Sequence, residues 1–203
     1  PYTATALPAT ELWLAIFDGL PRLDWRGGPL PGLAKSWNNP DSRTWRFAFR
    51  EDMTFHSGRP VTAQAVVAVF DMLRSPEAAS FLVAREVANI AEVSAVGPLT
   101  VQFRLHEPDV ILPKRLALVM IVDAEVWTER GVDVFAFAPM GTGPYRLTVW
   151  GAGNAAVRLT AFDGNWRSPR GFRELEYRVV GNKTSRLQAL YGDQMDVVTG
   201  LSE

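Results

Sequence analysis

Residues 44–50 read Thr-Trp-Arg-Phe-Ala-Phe-Arg, and this strict alternation constrains the fold more than any other feature of the chain. Trp45, Phe47 and Phe49 fall on one side of an extended backbone, with Arg46, Ala48 and Arg50 on the other. That is the period-two pattern of a strand with one face in a core and one in water. Residues 99–105 repeat it after a Gly97-Pro98 turn and pair with 90–96 as a hairpin. A one-sided sheet needs a cover, and residues 62–74 supply one. Thr62 is placed as an N-cap after Pro60-Val61, Val66, Val69, Phe70 and Leu73 share a helical face, and Ser75-Pro76 ends the run.

The remainder of the chain alternates helix and strand patterns, so a mixed α/β fold is expected. Residues 11–17 are an apolar stretch closed by an Asp18-Gly19-Leu20-Pro21 turn, and Asn38-Asn39-Pro40-Asp41 reads as a strong turn. Residues 108–118 read as a helix, 119–122 as a short strand and 124–130 as a helix. Strands are expected at 145–150, 155–161 and 172–180, the first two joined across Gly151-Ala152-Gly153-Asn154. Thr184 or Ser185 is the expected cap of a helix bearing Leu187, Leu190 and Tyr191, and 195–199 is expected as a last strand. Two Gly/Pro-rich breaker zones, near 31–41 and 138–144, mark the segment between them as an inserted subdomain.

Composition removes several functions. At 47% hydrophobic and 21% charged, 203 residues can bury a sizeable core. A net charge of −1 gives no pull on nucleic acid or anionic membrane, and no run reaches the length of a membrane span. Without Cys there are no disulfides, thiolate metal sites or cysteine nucleophiles. No basic, apolar leader and no initiator Met stand at the start, which leads to the expectation of a processed or trimmed chain.

Catalytic patterns are equally sparse. His56 and His106 stand in no metal-binding spacing, and no GxSxG elbow exists. His106 continues the polar face of strand 99–105 and reads as a solvated side chain, while His56, in a turn beside Ser57-Gly58, reads as structural or solvated. Gly141-Thr142-Gly143 is followed by Pro144 and a β-type stretch rather than a helix, so it reads as a tight connection and not as a phosphate loop. Trp45, Phe47 and Phe49 read as sheet core, because a base-stacking platform would come with a basic excess. Of the carboxylates, Glu51, Asp52 and Asp71 read as solvated. Asp18 stands apart, in a Gly-containing turn at the end of an apolar element, where ligand-contacting groups tend to be mounted.

Taken in order, Phe17-Asp18-Gly19-Leu20, Pro31-Gly32-Leu33-Ala34-Lys35-Ser36-Trp37, Trp45–Arg50, Phe55–Val66, Gly141-Thr142-Gly143-Pro144-Tyr145 and Arg186–Val197 form a series. The series resembles the family 5 solute-binding proteins of bacterial ABC importers, which include oligopeptide-, dipeptide- and nickel-binding receptors. Ser57 stands where that family often has an acid, and Asn165-Trp166 where a Tyr-Trp pair is frequent.

The resemblance implies a periplasmic-binding-protein-like lobe with a mixed sheet, helices and an inserted α+β subdomain. Residues 1–37 and 141–203 would form lobe I, 38–140 the inserted subdomain, and the second lobe would be absent from this stretch. It further implies a monomeric, non-enzymatic receptor in the periplasm or lipid-anchored outside the cell, its signal peptide removed. Such a receptor takes a small-molecule or peptide ligand, most simply a peptide, to ABC permease subunits, with no cofactor and no nucleic acid. Asp18 matches the cleft-facing acid of peptide-binding members, with Gly19 and Leu20 beside it, and Phe81 matches a ligand-contacting aromatic of the inserted subdomain. The other reading of Asp18, a cleft acid hydrogen-bonded within the protein, stays open. So does a second function on the same fold, a ligand-sensing domain of a transcription regulator. For nickel, two scattered histidines and no Cys supply no evident site.

Overall fold

In a computed structural model, residues 1–2, 7–151, 156–167 and 171–201 are described. The apolar run at the start is a helix, α1 (Leu7–Ile16), and the chain then makes a small hairpin of β1 (Pro21–Leu23) and β2 (Pro29–Pro31). Next come β3 (Ala34–Asp41) and β4 (Thr44–Phe49). In β4 the alternation is realised as expected: Trp45, Phe47 and Phe49 are buried and Arg46 is exposed. The expected turn at residues 38–41 is instead strand. β3 lies at the sheet edge, where Pro40 need donate no ladder bond, and the chain reverses at Ser42-Arg43 after a register shift between Asn38 and Asp41.

The covering helix α2 (Ala63–Leu73) starts where the sequence places it. Thr62 Oγ1 accepts from the Ala65 amide at 3.1 Å, and Val66, Val69, Phe70 and Leu73 are buried. A 3₁₀ turn (Pro76–Ser80) and the short helix α3 (Ala84–Val87) lead to β5 (Ile90–Gly97) and β6 (Thr100–Leu105). The sheet order is β3-β4-β6-β5, with Trp45 opposite Phe103 and Phe47 opposite Val101. Phe103 is its centre: the Phe47 and Phe70 rings meet it edge-on at 5.5 and 4.9 Å.

The helix expected over 108–118 is only α4 (Leu112–Leu116). Asp109 turns the preceding backbone by accepting from the Ile111 amide, which delays the helix start. The strand expected at 119–122 reduces to a single bridge between Ile121 and Asp18. α5 (Ala124–Phe137) runs past the expected end at 130. Asp123 caps it through the Val126 amide, and Gly131, at φ +77°, kinks it rather than stopping it.

β7 (Tyr145–Val149), β8 (Val157–Ala161) and β9 (Glu174–Tyr177) form an antiparallel three-stranded sheet. β9 is shorter than the expected 172–180, because pairing with β8 covers only Glu174 to Tyr177. The expected connection at 151–154 and the strand start at Ala155 fall largely on residues 152–155, outside the described ones. α6 (Lys183–Tyr191) is capped by Asn182, not by Thr184 or Ser185: the Asn182 side chain accepts from the Ser185 amide at 2.7 Å. Residues 195–199 form no strand, since no described segment pairs with them.

One buried apolar cluster runs from Tyr2 and Leu12 through the four-stranded sheet to Leu159 of β8. The breaker segment Gly141-Thr142-Gly143 crosses it against the end of α1. Gly143 N–H donates to the Ile16 carbonyl at 2.8 Å, and a Cβ on either glycine would overlap the Ile16 peptide group. β7 follows at once, so no helix starts from this loop.

Candidate ligand-binding site

Asp18 is placed by the end of α1. The Phe17 amide still bonds back to Trp13, Phe17 is buried, and the next residue leaves the helix. Gly19 is required there: a Cβ would lie 2.7 Å from the Pro21 carbonyl oxygen and 3.0 Å from that of Ala117. The turn is stitched to the breaker zone by Leu33 N–H on the Gly19 carbonyl and Ala34 N–H on the Leu20 carbonyl. On its other side, Ile121 N–H donates to the Asp18 carbonyl at 2.8 Å.

The Asp18 carboxylate is only 7% exposed, and a buried charge is tolerated only with partners. It has three. Arg167 reaches Oδ1 at 2.6 Å, while Trp166 Nε1–H and Thr142 Oγ1–H donate to Oδ2 at 3.2 and 3.3 Å. Burial pushes its carboxyl above the ordinary carboxylate value. The Arg167 guanidinium is the main opposing influence, followed by the hydrogen bonds from Trp166 and Thr142 and by the nearby Asn165 amide. Asn165 braces the set, donating to the Thr142 carbonyl at 2.6 Å and accepting from the Arg167 amide at 2.8 Å. Arg50 lies over the Trp166 ring at 4.3 Å and donates to the Gly32 carbonyl. Parts of the chain 149 residues apart thus meet at one carboxylate.

The other expected site residues are distributed. Gly19 is contiguous with Asp18, and Leu20 is fully buried in the core beside it. Phe81 follows the 3₁₀ turn and is half-buried, with its ring stacked on Tyr2 at 6.0 Å and edge-on to Trp127 at 6.2 Å. It joins no hydrogen bond of the Asp18 group. Its link to that group is indirect, through the Tyr2 hydroxyl, which donates to the carbonyl of Met120 next to Ile121.

His56 is a clasp on the same breaker segment. Its Nε2 bonds the Gly143 carbonyl at 2.9 Å, its Nδ1 accepts from the Gly141 amide, and its own amide donates to the Gly141 carbonyl. These bonds require the neutral Nε2–H form. Burial lowers its pKa to about 4; the Gly143 carbonyl opposes the shift and the Arg146 charge adds to it. The structural reading of His56 therefore holds, and His106 is exposed as expected. Beside the clasp, Ser57 Oγ–H donates to Asp123 at 2.6 Å, fixing the cap of α5.

Thr142, Asn165, Arg167 and Asp123 escape sequence reasoning. Asp123, directly before a helical pattern, carried an N-cap signal; the other three carry none that local pattern can supply. Among the described residues no three His, Asp or Glu side chains converge on a metal site, and no helix is long and apolar enough to cross a membrane.

The sequence model described as "Bacterial extracellular solute-binding proteins, family 5 Middle" matches residues 28–203. Among curated proteins, the periplasmic oligopeptide-binding protein OppA of Escherichia coli is 32% identical over 124 residues, 53% of this chain and 23% of that protein. The HTH-type transcriptional regulator SgrR of Yersinia pestis is 32% identical over 178 residues, 86% of this chain and 29% of the regulator. Among solved structures, MoaA of Agrobacterium tumefaciens, in complex with mannopinic acid, superposes with a TM-score of 0.87 at 28% identity, covering 97% of this chain and 41% of that one. OppA of Burkholderia pseudomallei gives 0.85 at 23% identity, covering 96% and 42%. The fold is thus that of a periplasmic-binding-protein-like lobe, mixed α/β. The chain spans about a quarter of the length of these curated relatives and about two fifths of these solved structures.

Proposed function

Because the chain belongs to the bacterial extracellular solute-binding proteins of family 5, we propose that it serves as solute-capturing component of an ABC importer. The carrying observation is the family match over residues 28–203. The solute is a peptide, a reading supported by the 32% identity to a periplasmic oligopeptide-binding protein. Capture is non-covalent. Ligand buried between two lobes stabilises the closed form, which permease subunits then recognise.

In this reading residues 1–37 and 141–203 belong to one lobe and 38–140 to an inserted unit; the four-stranded sheet occupies residues 34–105, and β3 straddles the 37/38 border. The protein works as a monomer in the periplasm or anchored outside the cell. Asp18 and Gly19 stand at the cleft wall with Leu20 supporting them from the core, and Phe81 contributes an aromatic contact. Asp18 meets the solute as half of an ion pair, since Arg167 already neutralises it. The test is a thermal-shift screen of the full-length protein against peptides, sugars, opines and metals. A peptide at 100 times its Kd adds about 2.7 kcal/mol of stability. Stabilisation by members of another class alone would refute the peptide reading.

A second reading, a sensor domain of a transcription regulator, is favoured by one observation: the SgrR match covers 86% of the chain. The coding sequence upstream of Pro1 separates the two. A signal peptide supports transport, and a helix-turn-helix supports regulation.

A further inference from the structure

Around Asp18 the charges do not cancel. Two guanidiniums lie over one indole: Arg50 Cζ is 4.3 Å and Arg167 Cζ 5.5 Å from the Trp166 ring centroid. Among the described residues, one carboxylate is bonded to this group: Asp18, held by Arg167 and by the Trp166 Nε1–H. Among the described residues, Arg50 forms no ion pair; its Nε–H is used on the Gly32 carbonyl, which leaves its terminal N–H groups free of carboxylate. Arg167 spends Nη2 on Asp18, while its Nε–H is shielded from water and has no acceptor among the described residues. Two oxygens on a planar anionic group match the fork of a guanidinium, and the terminal N–H groups of Arg50 offer that fork.

We infer that Arg50 and Arg167, set on Trp166, form a subsite for a carboxylate group of the solute. This rests on the solute-binding reading above and adds the charge of the group bound. Asp18 in this arrangement is a positioning residue. It holds Arg167 against Trp166, and Asn165 holds the backbone of Arg167. The indole stands beside both cations, whose Cζ atoms lie 4.3 and 5.5 Å from its ring centroid, within the range at which an aromatic face attracts a guanidinium. An excess of one positive charge remains for the ligand. The site discriminates between an acid and its amide, since an amide brings neither the charge nor the second acceptor oxygen.

The test uses full-length protein and two matched pairs measured by calorimetry: tri-alanine against tri-alanine amide, and mannopinic acid against its amidated counterpart. The acid of a pair that binds is expected to bind tenfold or more tightly than the amide, with the ratio falling as salt rises. Arg50→Gln, which breaks no ion pair among the described residues, is expected to cut that ratio at least threefold, with partial recovery in Arg50→Lys. The double change Asp18→Asn with Arg167→Gln, which removes both charges of the pair together, is expected to do the same. Equal binding of acid and amide by the unaltered protein overturns the subsite without any variant being needed. So does an unchanged ratio in both Arg50→Gln and the double variant. If neither pair binds and no solute of the wider screen stabilises the protein, the solute-binding reading falls and the subsite falls with it; binding without preference overturns the subsite alone.

Discussion

The four-stranded sheet and the C-terminal sheet use similar amounts of apolar sequence and obtain very different burial from it. In β4 every second residue is buried, and α2 closes over the sheet with Val66, Val69, Phe70 and Leu73. In β9 no residue is fully buried, and α6 buries none of Leu187, Leu190 or Tyr191. Phe172, Val179, Tyr191 and Val197 all lie largely in solvent. The contrast teaches that alternation and amphipathicity define a face, but only a second element opposite that face turns it into core. Residues 34–105 contain both the sheet and its cover; among the described residues, 172–201 contain faces without one.

That difference predicts an ordered set of effects. The largest is expected at Phe103, where truncation to Ala empties the meeting point of Phe47 and Phe70. It should cost about 4 kcal/mol by denaturant titration. Tyr191→Ala, on a ring 80% exposed, should stay within about 0.5 kcal/mol. Comparable losses at the two positions would break the comparison.

Gly141→Ala comes next. Its Cβ would overlap the Ile16 carbonyl and the Phe17 ring, and backbone cannot yield cheaply, so about 3 kcal/mol is expected in the same titration.

A pH effect of about 2–3 kcal/mol belongs to His56. Its folded pKa, about 4, lies below the ordinary 6.5, so the unfolded chain binds the proton first. The stability contributed by the neutral clasp is present above pH 6.5 and is lost as pH falls toward 4. Urea midpoints measured from pH 7 to pH 4 should therefore drop more steeply in the unaltered protein than in His56→Gln. Parallel pH profiles would show that the imidazole does not sense protons.

The smallest effects compare two caps. Thr62→Ala, at the start of the covered helix α2, should cost about 1 kcal/mol. Asn182→Ala, at the start of α6, should cost less in global stability, because frayed turns of an uncovered helix unload little core. Amide exchange should separate the two, with α6 exchanging faster. Equal protection of α2 and α6 would mean that α6 is covered after all.

What could be read early follows the same division. The alternation at 44–50, the hairpin at 90–105 and the Thr62 cap are properties of residues two to four apart, and each formed where expected. Pro40 misled because a turn-forming sequence is also tolerated at a sheet edge, and edge status is not local. The strand expected at 195–199 misled for a related reason: its pattern is real, but a strand exists only with a partner. Asp18 was legible as an unusual acid from its Gly-containing turn. Its partners were not, since Thr142, Trp166 and Arg167 are 124 to 149 residues away.

By itself, then, the sequence determined the local elements, the tight glycine passages and the ordered motif series that places the chain in family 5. These depend on backbone preference and short-range side-chain periodicity, which a linear chain carries in itself. The tertiary structure alone decided that Arg167 neutralises Asp18, that Arg50 lies over Trp166 with no carboxylate partner among the described residues, and that His56 clasps the Gly141–Gly143 crossing. Those are long-range pairings of charged and polar groups. Their energies depend on distance and burial, and neither exists until the chain has brought α1, the breaker segment and the end of β8 together.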